Sequence, residues 1–187
     1  MKLNYVSLVH NLMIVPYLIR RRKFVWSYDR RSTAAATTRL IDFWEEIFKQ
    51  SPNHLVDVGA NSSGFAYWLK ERWPNMHIDS FEPQPELNPI GNVHRMALGS
   101  TNETKWLNLH GPASYVSDSG DILVSIARFD SLNLPIQSPA LLKVDAENLT
   151  FDVLQGFGSR LDEFAMVVVE MWNVSQVNWC FLINRLK

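Results

Sequence analysis

Leu55-Val56-Asp57-Val58-Gly59-Ala60-Asn61-Ser62-Ser63-Gly64 reads as a buried strand that runs into a glycine-containing turn. The residues around Asp57 are apolar or small, Gly59 lets the backbone leave the strand tightly, and Gly64 is expected to let the next helix pack close to the sheet. About twenty residues on, Ile78-Asp79-Ser80-Phe81-Glu82 forms a second apolar strand that ends in a carboxylate. A carboxylate at the tip of a neighbouring strand can accept hydrogen bonds from two ribose hydroxyls. The pairing predicts an α/β sheet that holds a nucleoside.

The turn separates two cofactor types. A dinucleotide turn wants glycine at its first, third and sixth positions, so that backbone N–H groups and a helix N-terminus can approach a pyrophosphate. Here the third position is Asn61, whose side chain would crowd that phosphate. S-adenosylmethionine has no phosphate, and polar side chains and carbonyls at the turn suit its amino acid and sulfonium. An NAD-dependent enzyme is the disfavoured alternative, and ordinary strand-to-helix punctuation by Gly59 and Gly64 is the bland one.

A later strand, Ala140 to Val144, ends in Asp145-Ala146-Glu147. Ligands gather at the carboxyl ends of strands in open α/β sheets, so both acids are expected to face the cleft. Methyl transfer is an in-line displacement in which the acceptor must be positioned and its proton removed. Asp145 is the first choice for orienting the acceptor or the methionine end, and Glu147 for base or hydroxyl binding. Helix capping ahead of Leu149 to Gly156 is an alternative role for an acid here.

Val56-Asp57-Val58-Gly59-Ala60-Asn61 with Gly64, then Phe81-Glu82-Pro83, then Leu142-Lys143-Val144-Asp145-Ala146-Glu147 followed by Val153-Leu154-Gln155-Gly156, resembles the FkbM-type family of S-adenosylmethionine-dependent methyltransferases. The resemblance runs from Leu55 to Trp172. It implies a Rossmann-like methyltransferase fold, a mostly parallel sheet with helices on both faces. It also implies methylation of hydroxyls on sugars, lipids or polyketide-like products. Cofactor contacts are expected from Asp57, Gly59, Ala60, Asn61 and Gly64 at the first turn, and from Glu82 and Pro83 at the second strand. Val93 to Gly99 reads as the third strand, with Met96, Ala97 and Leu98 forming an apolar slot for adenine. The family's helix between the second and third strands looks shortened or lost, because only Glu86 to Asn92 remains after Pro83 and Pro85.

Lys105 to Leu109 and Ile122 to Phe129 alternate partially and bracket a turn-rich loop, which predicts a ribbon or an edge-strand excursion. In relatives this region walls the substrate cleft, so Ser114, Tyr115 and Asp118 are candidate substrate contacts, with a solvated loop as the alternative. The chain departs from the family where Asn148 replaces an expected glycine and Thr150 an expected second acid. Asn148 is expected to keep the left-handed turn. Thr150 cannot act as a carboxylate, so a cofactor-binding but catalytically degenerate module is the competing reading.

The flanks frame this domain, taken as 28–187. Residues 1–27 form an apolar and basic segment, in which the largely apolar stretch Met1 to Ile19 stops at Arg20-Arg21-Arg22-Lys23 and is too short and polar to span a bilayer comfortably. A packed helix, peripheral membrane contact and disorder are its three readings. Tyr28 to Ser51 reads as a helix with a core-facing stripe, including Leu40 and Trp44. Phe164 to Met171 reads as a fifth strand, after which Asn173 to Lys187 is too short for the two further strands of a full sheet. An uncovered edge is therefore expected, and with it a truncated product, completion by a partner chain, or a marginal fold.

At 187 residues with a net charge of −1, the chain suits one globular domain and gives no reason to expect nucleic acid as a partner. The acceptor is expected to be a small molecule or glycan. Cys180 is alone, which fits a reducing cytosol. His10, His54, His77, His94 and His110 are scattered, read as surface or strand-end residues, and no metal site is expected.

Overall fold

The computed structural model describes residues 8–9, 12–13, 24–28 and 33–170. Six parallel strands form the central sheet: β3 (Phe24–Tyr28), β4 (His54–Val58), β5 (His77–Phe81), β6 (Asn92–His94), β11 (Ala140–Val144) and β12 (Met166–Glu170). Their order is β3-β12-β11-β4-β5-β6, and every neighbouring pair is parallel. The central strands β4 and β11 are buried at every position, as a parallel sheet covered on both faces requires.

Alternate residues of these strands feed two cores. Leu55, Ile78, Leu141 and Val168 point to one side, where they pack with α1 (Thr33–Phe48) and α2 (Gly64–Arg72) through Leu40, Trp44, Phe65 and Leu69. Val56, Phe81, Leu142 and Val167 point to the other, against α3 (Thr150–Phe157) through Val153, Leu154 and Phe157. The period-2 alternation places helices on both faces, as expected. A fully buried side chain of this size contributes roughly 1.5–3 kcal/mol, so the layers stand on these clusters.

A second, four-stranded sheet carries β7 (Ala97–Leu98), β8 (Glu103–Asn108), β9 (Tyr115–Ser117) and β10 (Ile122–Ala127) in the order β7-β10-β8-β9. The expected ribbon is its β8–β10 antiparallel pair, with Leu123 opposite Trp106. The expected third strand is split. Asn92–His94 pairs with β5, and after a break Ala97–Leu98 joins β10 instead. No helix occupies the segment between β5 and β6, in line with its three prolines, Pro83, Pro85 and Pro89.

The N-terminal region departs from the expected helix. Leu8–Val9 (β1) pairs antiparallel with Leu12–Met13 (β2), and the aromatic and β-branched Phe24–Tyr28 is a strand, so α1 starts at Thr33 rather than at Tyr28. β3 lies beside β12 with Phe24 opposite Met166 and Tyr28 opposite Glu170. The flank of the fifth strand, expected to be bare, is thus covered by a strand from the other end of the chain. The basic run 20–23, His10 and the segment 171–187 with Cys180 lie outside the described residues. Among the described residues no helix is long and apolar enough to cross a membrane.

Candidate functional site

A cleft opens at the carboxyl ends of β4, β5 and β11, between the central sheet and the four-stranded sheet. On one side stand Gly59, Asn61, Glu82, Pro83 and Gln84, and on the other Asp145, Ala146 and Glu147. Ala97, Leu98, Leu107 and Val116 give an apolar wall, and Ser114 and Tyr115 close it from the ribbon. Of the residues expected at the cofactor, Asp57, Ala60, Gly64 and Met96 do not line this cleft.

Each of those four has a physical reason. Asp57 is buried within β4, and Ala60 is buried within the turn itself. Met96 packs against the α3-side core. Gly64 has open space where a Cβ would stand, so the close helix approach expected there is not what selects glycine. Asp118 is also away from the cleft, on the surface, where its carboxylate pairs with Lys105 at 3.0 Å.

The turn after β4 consumes its own amides. Gly59 and Ala60 N–H groups donate to the Phe81 carbonyl at 3.0 and 3.2 Å, and the Ser63 N–H donates to the Ala60 carbonyl at 2.8 Å. The Asn61 N–H donates to Glu82 Oε2 at 2.7 Å, and the Ser62 N–H donates to Asn61 Oδ1 at 2.7 Å. These five successive donors therefore do not form an open anion nest. Asn61 adopts φ 50°, a left-handed conformation that asparagine accepts more readily than most residues.

Glu82 is held from both oxygens, because Oε1 also accepts the Gln84 N–H at 2.9 Å. Burial pushes its carboxyl up, more than these two hydrogen bonds pull it down. Gln84 carries no role in the sequence reading, yet it ties the wall together. Its side chain donates to Ser114 Oγ at 3.1 Å, and its carbonyl accepts Arg95 Nη1 at 2.8 Å.

Lys143 is the other residue the sequence reading leaves without a role. It lies opposite Asp57 in the β4–β11 register and is almost fully buried. Its ammonium sits 3.0 Å from Asp57 Oδ1, donates to the Gly59 carbonyl at 2.7 Å, and lies 3.5 Å from Asp145 Oδ2. The Gly59 carbonyl is thus engaged from below, and an acid–base–acid row of Asp57, Lys143 and Asp145 runs beneath the cleft, with only Asp145 reaching its lining. Burial nevertheless raises the Asp57 carboxyl above its ordinary value, outweighing the attraction of Lys143. The available signal was a charged residue, next to last, in each of two largely apolar strands.

At the acidic end, Glu147 rather than Asn148 takes the left-handed conformation, with φ 50°. Asn148 instead uses its side chain to donate to the Val116 carbonyl at 3.1 Å, joining this turn to the ribbon. Thr150 is buried as the first residue of α3 and donates to the Glu147 carbonyl at 3.3 Å.

No family model and no curated protein matches the chain. Among solved structures it is similar to the crystal structure of methyltransferase FkbM from Methylobacillus flagellatus KT, at 14% identity and a TM-score of 0.42. The alignment covers 60% of this chain and 31% of that one.

Proposed function

We propose that the cleft binds S-adenosylmethionine and that the protein transfers its methyl group to a hydroxyl of a small-molecule or glycan acceptor. The observation that carries this reading is the turn at 59–63, whose amides are all taken while a fixed carboxylate, Glu82, stands beside it. Such a site favours ribose hydroxyls over a diphosphate, and the NAD reading loses its anchor. The apolar Ala97 and Leu98 suit the flat face of a base. The cofactor supplies an electrophilic methyl group. Asp145, backed by the buried Lys143, orients the acceptor or the amino acid end, and Glu147 takes the proton of the acceptor hydroxyl. A glutamate held in the left-handed region costs energy that a purely structural turn would avoid by using glycine or asparagine.

Titration calorimetry with S-adenosylhomocysteine, S-adenosylmethionine and NAD tests the ligand. Binding of the first two and not of NAD is expected, and preference for NAD would overturn the reading. Glu82→Ala should weaken S-adenosylhomocysteine by about 1.5–3 kcal/mol, the loss expected for a charged hydrogen-bonding group. Unchanged affinity would remove Glu82 from the ribose.

The pH dependence follows from the raised carboxyl of Glu82. Ribose hydroxyls donate to the ionised form, so affinity should fall on acidification while the pH is still above 4.5, the ordinary glutamate value. The ligand-free fold carries the opposite sign for this group, because a carboxyl raised by folding is most stabilising when protonated. Calorimetry on the parent and on Glu82→Gln separates the two, and an acid-side loss that survives in Glu82→Gln would assign it elsewhere.

A binding module without turnover is the second reading, favoured by Thr150 standing where a second acid is expected. Methyl transfer to any hydroxyl acceptor would exclude it.

A further inference from the structure

Three histidines far apart in sequence meet on one carboxylate. His54 opens β4, His77 opens β5, and His94 closes β6, while Asp79 lies two residues along β5 from His77. The strands are adjacent and parallel, with His54 opposite His77 and Asp79 opposite Asn92. The expectation that the histidines are scattered holds along the chain and fails in space.

The contacts divide between the two oxygens of Asp79. Oδ1 receives Asn92 Nδ2 at 2.8 Å and His94 Nε2 at 2.7 Å. Oδ2 is faced by His54 Nε2 at 2.8 Å and His77 Nε2 at 3.1 Å. One oxygen is therefore anchored by two donors, while the other meets two imidazole nitrogens that can serve as metal ligands. We propose that His54, His77 and Asp79 form a binding site for a divalent first-row cation of the zinc type, with His94 and Asn92 as positioning residues that orient the carboxylate.

Two imidazoles and a carboxylate are a donor set that zinc and its neighbours accept, leaving a coordination position for water. The anchored Oδ1 is the outer-sphere support that metal-binding carboxylates usually have. The three ligand atoms lie within 4.8 Å of one another. Metal–ligand bonds of about 2.0–2.1 Å in a tetrahedron place ligand atoms roughly 3.3 Å apart, so the 2.8 and 3.1 Å separations of the two imidazole nitrogens from Asp79 Oδ2 need only a few tenths of an ångström of spreading. His54 and Asp79 are buried, whereas His77 is 44% exposed and gives the ion a way in. Coordination through Nε2 puts the His54 proton on Nδ1, so the long 3.3 Å contact from the Gln137 amide to that nitrogen is given up. His54 and His77 stand at the amino ends of their strands, whereas the cleft lies at the carboxyl ends, so the two sites are distinct.

The test is zinc titration of the chelator-stripped full chain by competition with a chromophoric chelator, alongside His77→Gln. One equivalent at sub-micromolar affinity is expected, weakened at least tenfold in His77→Gln, with S-adenosylhomocysteine titration and thermal melting confirming that the variant remains folded. Cobalt(II) should give the intense visible bands of a tetrahedral nitrogen–oxygen site in the parent and lose them in the variant. Absence of stoichiometric zinc, or equal affinity in a folded His77→Gln protein, would overturn the proposal.

Discussion

Replacing Gly59 with alanine is expected to unfold the cleft, at a cost of at least about 3 kcal/mol. Gly59 has φ 70°, and a Cβ there would stand 1.8 Å from the Asp145 carbonyl oxygen and 2.8 Å from its carbonyl carbon. Both are backbone atoms, so no side chain can rotate away. The Asp145 N–H donates to the Val58 carbonyl at 3.0 Å, which locks the two strand ends together at this point. Gly111→Ala is the control, because Gly111 has φ 58° with open space around the missing Cβ. It should cost only the left-handed strain, about 1–2 kcal/mol. Urea unfolding of both variants isolates the clash, and a Gly59→Ala protein as stable as Gly111→Ala would mean that the β4 turn does not run against β11.

Lys143→Met should be nearly as damaging, at about 3–5 kcal/mol, because it leaves Asp57 buried without its cation. Asp57 Oδ2 has no hydrogen-bond partner among the described residues, so little else offsets the charge. A carboxyl raised by burial loses stability for the fold as pH climbs above its unfolded value of 3.8. The deficit of Lys143→Met relative to the parent should therefore shrink as the pH is lowered towards that value. Adding Asp57→Leu should recover most of the loss, since an apolar pair can replace a buried ion pair. Denaturant melts of the single and double variants across pH check both points. A double variant no more stable than Lys143→Met would show that the lysine acts through the Gly59 carbonyl rather than through Asp57.

The parts of the fold legible in the sequence were those written in local patterns. The apolar runs at 55–58 and 140–144, the helix stripe through Leu40 and Trp44, and the acids at strand tips all reappear where the pattern put them. What escaped depends on register between distant segments. Phe24 to Ser27 read as the end of the N-terminal segment and Tyr28 as the start of a helix until β12 lies beside them, and Lys143 reads as an incidental charge until β4 sets Asp57 opposite it. The gathering of His54, His77 and His94 is of the same kind, since no spacing rule joins three strands. In the candidate site, Glu82, Asp145 and Glu147 were found because each ends a strand or follows one. Gln84 was missed because it works through a backbone amide and a serine in the distant turn that leads into β9.

The partnership of β3 with β12 also sets an order of events during synthesis. A ribosome delivers Phe24–Tyr28 long before Met166–Glu170, and among the described residues no other strand takes β3 into the central sheet. Its amides must wait in solvent, or on a chaperone, until β12 has emerged. A nascent chain arrested before Met166 would hold β11 half-paired and β3 without a template, and would be an aggregation hazard until β12 arrives.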